Sequence, residues 1–272
     1  DFFVDDLSIA GAGLQLSGRL FKSKNTGQSS FEIEKFAIDD SINISGNIKP
    51  DGSFDIKKGY FDVRPFLLAS KQFSKKHKKN LAARVQLDKV QVTKKLSLKN
   101  FEGDLDIGQG LFGKFSADFG PKAKVKGLLK PVLGQTQAEF RSRQAGAVLT
   151  ELGVVKKAVG GDLVLNFIPA KKERALDGYL KVTNVKIQGV PILAELLNAV
   201  SIIGLIDLLS GPGISFNEIE SKFRIAEEEL IIKRVSAFGP SMGITLDGYY
   251  NLHNETFDMQ GTISPLYLIN SV

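Results

Sequence analysis

A seven-residue pattern recurs along this chain: apolar, any, apolar, any, Gly, any, apolar. It is carried by Leu14, Leu16, Gly18 and Leu20, and again by Ile42, Ile44, Gly46 and Ile48. It returns as Ala123, Val125, Gly127 and Leu129; as Ile244, Leu246, Gly248 and Tyr250; and as Phe257, Met259, Gly261 and Ile263. Side chains of a strand alternate between its faces, so the four members of each set share one face. The residues between them are mostly polar: Gln15, Ser17 and Arg19; Asn43, Ser45 and Asn47; Thr245 and Asp247; Asp258, Gln260 and Thr262. Each strand therefore has an oily side and a wet side. A glycine on the oily side suits a bend, a bulge or the close approach of something packed above it. One such strand fits any antiparallel sheet; five with glycine at the same offset imply a repetitive antiparallel sheet without crossover helices.

The turns agree. The last two copies are joined by the polar stretch Asn251 to Glu255, and similar hairpins fit Phe54 to Val63 after Pro50-Asp51-Gly52, and Phe223 to Arg234 around Glu227 to Glu229. At one strand every 8–12 residues the chain holds on the order of fifteen to twenty strands. Helical patterning is evident in two places. One is 145–158, bent near Gly153. The other is 191–209, opened by Pro191 and stopped by Gly211 and Pro212, with Ile192, Leu196, Val200 and Ile203 at helical spacing. The second is nearly long enough to span a bilayer, but Glu195 and Asp207 lie inside it. An acidic residue near a span's centre costs roughly 2.5–3.5 kcal/mol. It reads instead as an amphipathic lid, with Gly204 as its flex point.

Two helices cannot cover so much apolar sheet, and a bare apolar patch of that extent is a liability in water. Either the sheet closes on itself, or it curls into a trough whose oily floor meets a ligand. The expected fold class is mainly β: a long curled antiparallel sheet, a taco-like β-groove, with about two helices packed at or near one end. Residues 1–142 form the repetitive groove segment and 143–272 a region that carries both helices, the whole being one continuous structure. Both ends read as cuts in a longer protein.

Composition narrows the function classes. Lys and Arg number 36 against 30 Asp and Glu, a net of +6, too diffuse for a nucleic-acid footprint. The dense basic run is Lys71 to Lys79, where Lys75, Lys76, Lys78 and Lys79 are candidates for contact with anionic headgroups. Cysteine is absent, which excludes disulfides and thiol chemistry. Gly239-Pro240-Ser241-Met242-Gly243 matches a nucleophile elbow, but that motif needs a helix after it and here Ile244 to Tyr250 alternate as a strand. Gly108, Gly110 and Gly113 match a dinucleotide fingerprint with no helix to follow. His77 and His253 have no second imidazole, so no metal is expected. No enzyme activity and no cofactor are expected.

From Arg143 onward the chain resembles the C-terminal region of AsmA-like bacterial envelope proteins, YhdP-type members above all and TamB-like ones more distantly. The residues that carry the likeness are Ala145-Gly146-Ala147, Gly160-Gly161, the run GLIDLLSGPGISF from Gly204, and Gly239 to Gly243. The resemblance implies a β-rich periplasmic protein of a Gram-negative cell, anchored in the inner membrane, whose groove conducts phospholipids between inner and outer membranes. Its partners would be phospholipids, the two membranes and other envelope proteins. The alternative is a structural or assembly scaffold, TamB-like, with a closed β core and no lipid conduction. The candidate groove-lining residues are Leu14, Leu16, Leu20, Ile42, Ile44, Ile48, Val125, Leu129, Ile244, Leu246, Phe257, Met259 and Ile263. The candidate lid residues are Ile192, Leu196, Val200 and Ile203.

Overall fold

The computed structural model describes residues 2–67, 81–92, 96–107, 111–132, 135–153, 155–170, 175–188, 213–226, 229–251, 253–254 and 256–265. They form one mainly β structure of sixteen strands in sequential order, β1 next to β2 and so on to β16, and the sheet does not close. The chain divides into two compact units, Asp1–Asp118 with Lys126–Gln137, and Phe119–Val125 with Ala138–Val272.

The first unit opens with β1 (Phe2–Gly11), β2 (Leu14–Lys22), β3 (Ser29–Ile38), β4 (Ile42–Ile48) and β5 (Phe54–Asp62), all paired antiparallel. The β4–β5 turn is built as expected: Gly52 takes φ +86°, and Asp51 accepts the Ser53 N–H at 2.9 Å. Then follow the single turn α1 (Arg64–Leu67), β6 (Leu81–Gln91), β7 (Ser97–Ile107), β8 (Leu111–Phe119) and β9 (Ala123–Val132). One pairing departs from the sequence expectation. β5 and β6 run parallel, from Phe54 beside Ala83 to Asp62 beside Gln91, so the connection over 63–80 is a crossover in a sheet expected to have none. Alternation is the same whichever way a strand runs, so direction leaves no trace in the pattern. Asp62 starts the crossover: its carboxylate accepts the Arg64 N–H and guanidinium at 2.9 Å, which secures the first turn of α1.

In the second unit the chain passes from β10 (Gln135–Ser142) through α2 (Ala145–Glu151) to β11 (Lys157–Pro169) and β12 (Leu176–Gln188). β13 (Ile214–Ile225), β14 (Glu229–Phe238), β15 (Met242–Asn251) and β16 (Phe257–Pro265) complete it, antiparallel throughout from β10. The helix expected over 145–158 is shorter than its pattern. It ends at Glu151, because Gly153 takes φ +73° and turns the chain into β11, whose residues alternate from Lys157. The helix expected over 191–209 and its Ile192, Leu196, Val200 and Ile203 lie outside the described residues, as do Lys75, Lys76, Lys78 and Lys79.

The repeat glycines sit where neighbouring backbones crowd. A Cβ on Gly18 would stand 2.0 Å from the Glu32 carbonyl oxygen, and one on Gly46 2.2 Å from that of Asp55. At both places the adjoining strand carries a bulge, since the register shifts between Ser17 and Gly18 against β3, and between Ser45 and Gly46 against β5.

Candidate functional site

Cross-strand partners point to the same face, so the register assembles the apolar side chains into rows that run across the strands. In the first unit one row is Val4, Leu20, Phe31, Ile48, Phe54, Ala83 and Leu105. The next is Leu7, Gly18, Ile33, Gly46, Ile56, Val85 and Gly103. A third runs Ile9, Leu16, Phe36, Ile44 and Gly59, and a fourth Leu14, Ile38, Ile42, Phe61, Val90 and Leu98. No position in these four rows carries a charge. The other face is polar. Arg19, Glu32, Asn47, Asp55, Arg84 and Asp104 make a row there, with Arg19 bridged to Glu32 at 3.0 Å and Arg84 to Asp104 at 3.4 Å.

The second unit repeats the arrangement. Ala138, Phe167, Gly178, Phe223, Ile232, Gly248 and Met259 form one row. Beside it stand Phe140, Leu165, Leu180, Ser221, Val235, Leu246 and Gly261, and then Ser142, Leu163, Val182, Ile219, Ala237, Ile244 and Ile263. On the far side lie Leu176, Ile225, Leu230, Tyr250 and Phe257. Two serines and a phenol are the only polar side chains in these rows, and none bears a charge at neutral pH. Phe140 meets Phe167 edge-on at 6.1 Å, and Phe167 meets Phe223 at 5.9 Å. The charges are gathered on the opposite face. Arg224 grips Asp177 through Nε at 2.9 Å and Nη2 at 3.0 Å, and Lys233 reaches the same carboxylate at 3.0 Å. Those hydrogen bonds, the Arg224 one foremost, hold the Asp177 carboxyl below its ordinary value. Lys181 bridges Glu218 at 2.7 Å and Glu220 at 3.0 Å, which raises its ammonium above the ordinary range, and Tyr179 donates its hydroxyl to Glu220 at 2.7 Å.

The candidate lining residues fall on these apolar rows: Leu14, Leu16 and Leu20 on β2, Ile42, Ile44 and Ile48 on β4, Ile244 and Leu246 on β15, and Phe257, Met259 and Ile263 on β16. Val125 and Leu129 are on β9. Ile42, Val125 and Ile244 are buried, with little surface to offer, whereas Leu16, Leu20, Ile44, Ile48, Leu246 and Met259 are half-buried and Leu14 is exposed. Sequence reasoning named no lining residue on the strands between the glycine-bearing ones, which complete the rows through Phe31, Ile33, Phe36, Ile56, Phe167, Leu180, Phe223 and Val235.

The motifs set aside on sequence stand in strand context. Ser241 lies in the turn between β14 and β15, and the residues after it are strand. Gly113 lies within β8, and the residues after it continue that strand. Among the described residues no cluster of His, Asp and Glu could hold a metal ion, and no helix is long and apolar enough to cross a membrane. Comparison with family models, with curated proteins and with solved structures returns no match.

Proposed function

We propose that this chain binds phospholipid acyl chains on the apolar face of its sheet, and that it is a segment of a periplasmic bridge that supports lipid movement between inner and outer membranes. On this reading the sheet curls into a groove, the acyl chains lie on its floor and the headgroups stay at the open rim. The observation that carries it is the charge segregation. Rows of buried and half-buried Leu, Ile, Val and Phe run across five to seven strands with no ionisable group but one tyrosine, while the ion pairs named with those rows lie on the other face. An aliphatic chain gains ~0.8 kcal/mol per methylene buried on such a surface and asks for no hydrogen bond. A peptide strand laid on it would leave N–H and C=O groups without partners, at a cost of several kcal/mol. The likeness of the stretch after Arg143 to AsmA-like envelope proteins supports the same reading.

The test is native mass spectrometry of the purified chain, followed by lipid extraction. Phospholipid retained at a fixed stoichiometry supports the reading. A lipid-free protein that also takes none from vesicles, and that cross-links to an envelope protein instead, would favour the scaffold and overturn it.

A further inference from the structure

We infer that α2 is a fixed end wall of the apolar face in the second unit, and that it sets the length of acyl chain this face accepts. The inference rests on the acyl-chain reading above and concerns which chains fit.

α2 begins where β10 stops. Ser142, the last residue of β10, pairs with Leu163, so the start of β11 has β12 on one side and α2 in place of a strand on the other. The Ala158 N–H donates to the Thr150 hydroxyl at 3.2 Å, and that hydroxyl donates to the Gly146 carbonyl at 2.9 Å. Gly146 allows the approach: a Cβ there would stand 2.5 Å from the Ala158 carbonyl carbon and the Val159 nitrogen. The other end is tied as firmly. The Gln144 side-chain oxygen accepts the Lys124 N–H at 2.9 Å, and Ser142 donates its hydroxyl to the Lys124 carbonyl at 2.7 Å. A helix held at both ends is a wall and not a lid.

What it does to the face follows from burial. Ala145, Val148 and Leu149 are buried, and so are Leu163, Val182 and Val185 at that end of β11 and β12. Two and four residues further along, Leu165 and Phe167 are half-buried, as are Leu180 and Gly178 opposite them. An acyl chain lying along the strands therefore has open rows at one end and α2 at the other. Its methyl terminus stops at the wall while the headgroup remains outside, so chain length is read as depth.

The test is binding of the full chain to phosphatidylethanolamine vesicles in a graded series of acyl lengths, with the retained lipid identified by native mass spectrometry. Val148→Ala with Leu149→Ala shortens the wall and is expected to move the preferred length upward by about two methylenes, the reach a leucine loses when cut back to alanine. Leu149→Val, a milder change that keeps the core, is expected to move it in the same direction by less. Both variants should keep the far-ultraviolet spectrum of the parent. Lipid bound with an unaltered length profile in the folded variants overturns the wall. A parent chain that retains no phospholipid of any length overturns the acyl-chain reading itself.

Discussion

The ring of Phe223 fills the space over Gly178, its cross-strand partner: a Cβ at 178 would stand 2.3 Å from the ring. Glycine on β12 and phenylalanine on β13 are thus one packing unit, and Phe167 closes it from the other side at 5.9 Å. Gly178→Ala forces the ring off its rotamer and should cost about 1–3 kcal/mol. Phe223→Ala, at a half-buried site, should cost about 2 kcal/mol, below the range for a fully buried ring. In the double variant the alanine at 178 has no ring to displace, so the two costs should fall short of additive by about 1 kcal/mol. Urea denaturation of the four proteins measures this; strict additivity would show that the residues do not act as a unit.

Pairings of this kind mark the limit of what the sequence discloses. The face of each glycine-bearing strand is legible, because Leu14, Leu16, Gly18 and Leu20 keep an unbroken two-residue period. Their partners are harder to read. β3 pairs Ile33 with Gly46 and Phe36 with Ile44, so one extra residue lies between them and the alternation of the written sequence breaks while the face does not. The length of α2 is missed for a different reason. Val155 and Ala158 continue a three-residue step from Leu152, while Ala158 also suits β11, which starts at Lys157, and only the Gly153 backbone decides. The parallel β5–β6 pair leaves no periodic mark at all.

Gly153 offers a clean test of that decision. Its φ of +73° is left-handed, and a Cβ there would meet no atom within 4 Å, so a substitution feels the backbone alone. Gly153→Ala should destabilise the second unit by about 1 kcal/mol, and Gly153→Asn by less, since asparagine tolerates this region. Thermal melts compare the two. An alanine variant as stable as the parent would mean that the turn after α2 relaxes at no cost.

The ion cluster on the polar face predicts an acid response. Arg224 above all, and Lys233 with it, hold the Asp177 carboxyl below the ordinary 3.8, while partial burial opposes them. A carboxyl depressed in the folded state contributes stability that is present above its unfolded value and is lost as pH falls through its folded one. The contribution is therefore intact at neutrality and begins to be lost only as pH falls below the ordinary 3.8. With the Asp177 side chain 38% exposed, solvent screening limits it to about 0.5–1 kcal/mol. Asp177→Asn should be less stable than the parent at neutral pH and match it in acid well below the ordinary 3.8. Denaturant titrations at both pH values decide, and a constant gap between the two proteins would locate the acid response elsewhere.

The apolar rows make the strongest claim on function, through what a charge would do there. Ile44 on β4 and Leu246 on β15 are half-buried, each with row neighbours on both sides, Phe36 and Gly59 for the first and Val235 and Gly261 for the second. A carboxylate at either position can still reach water from the open side of the sheet, so Ile44→Asp or Leu246→Asp should cost about 1–3 kcal/mol of stability and leave the fold intact. An acyl chain laid over the same position would have to strip that carboxylate of its water, which removes more than the ~0.8 kcal/mol that each methylene brings. Lipid occupancy should therefore drop severalfold while the unfolding transition stays cooperative. Thr245→Asp, next in sequence to Leu246 but on the polar face, is the control and should leave occupancy unchanged. Equal loss of lipid in the Thr245 and Leu246 variants would mean that the charge acts through the protein's general field and not by interrupting an apolar track. Retention of lipid in all three would place the cargo somewhere other than these rows.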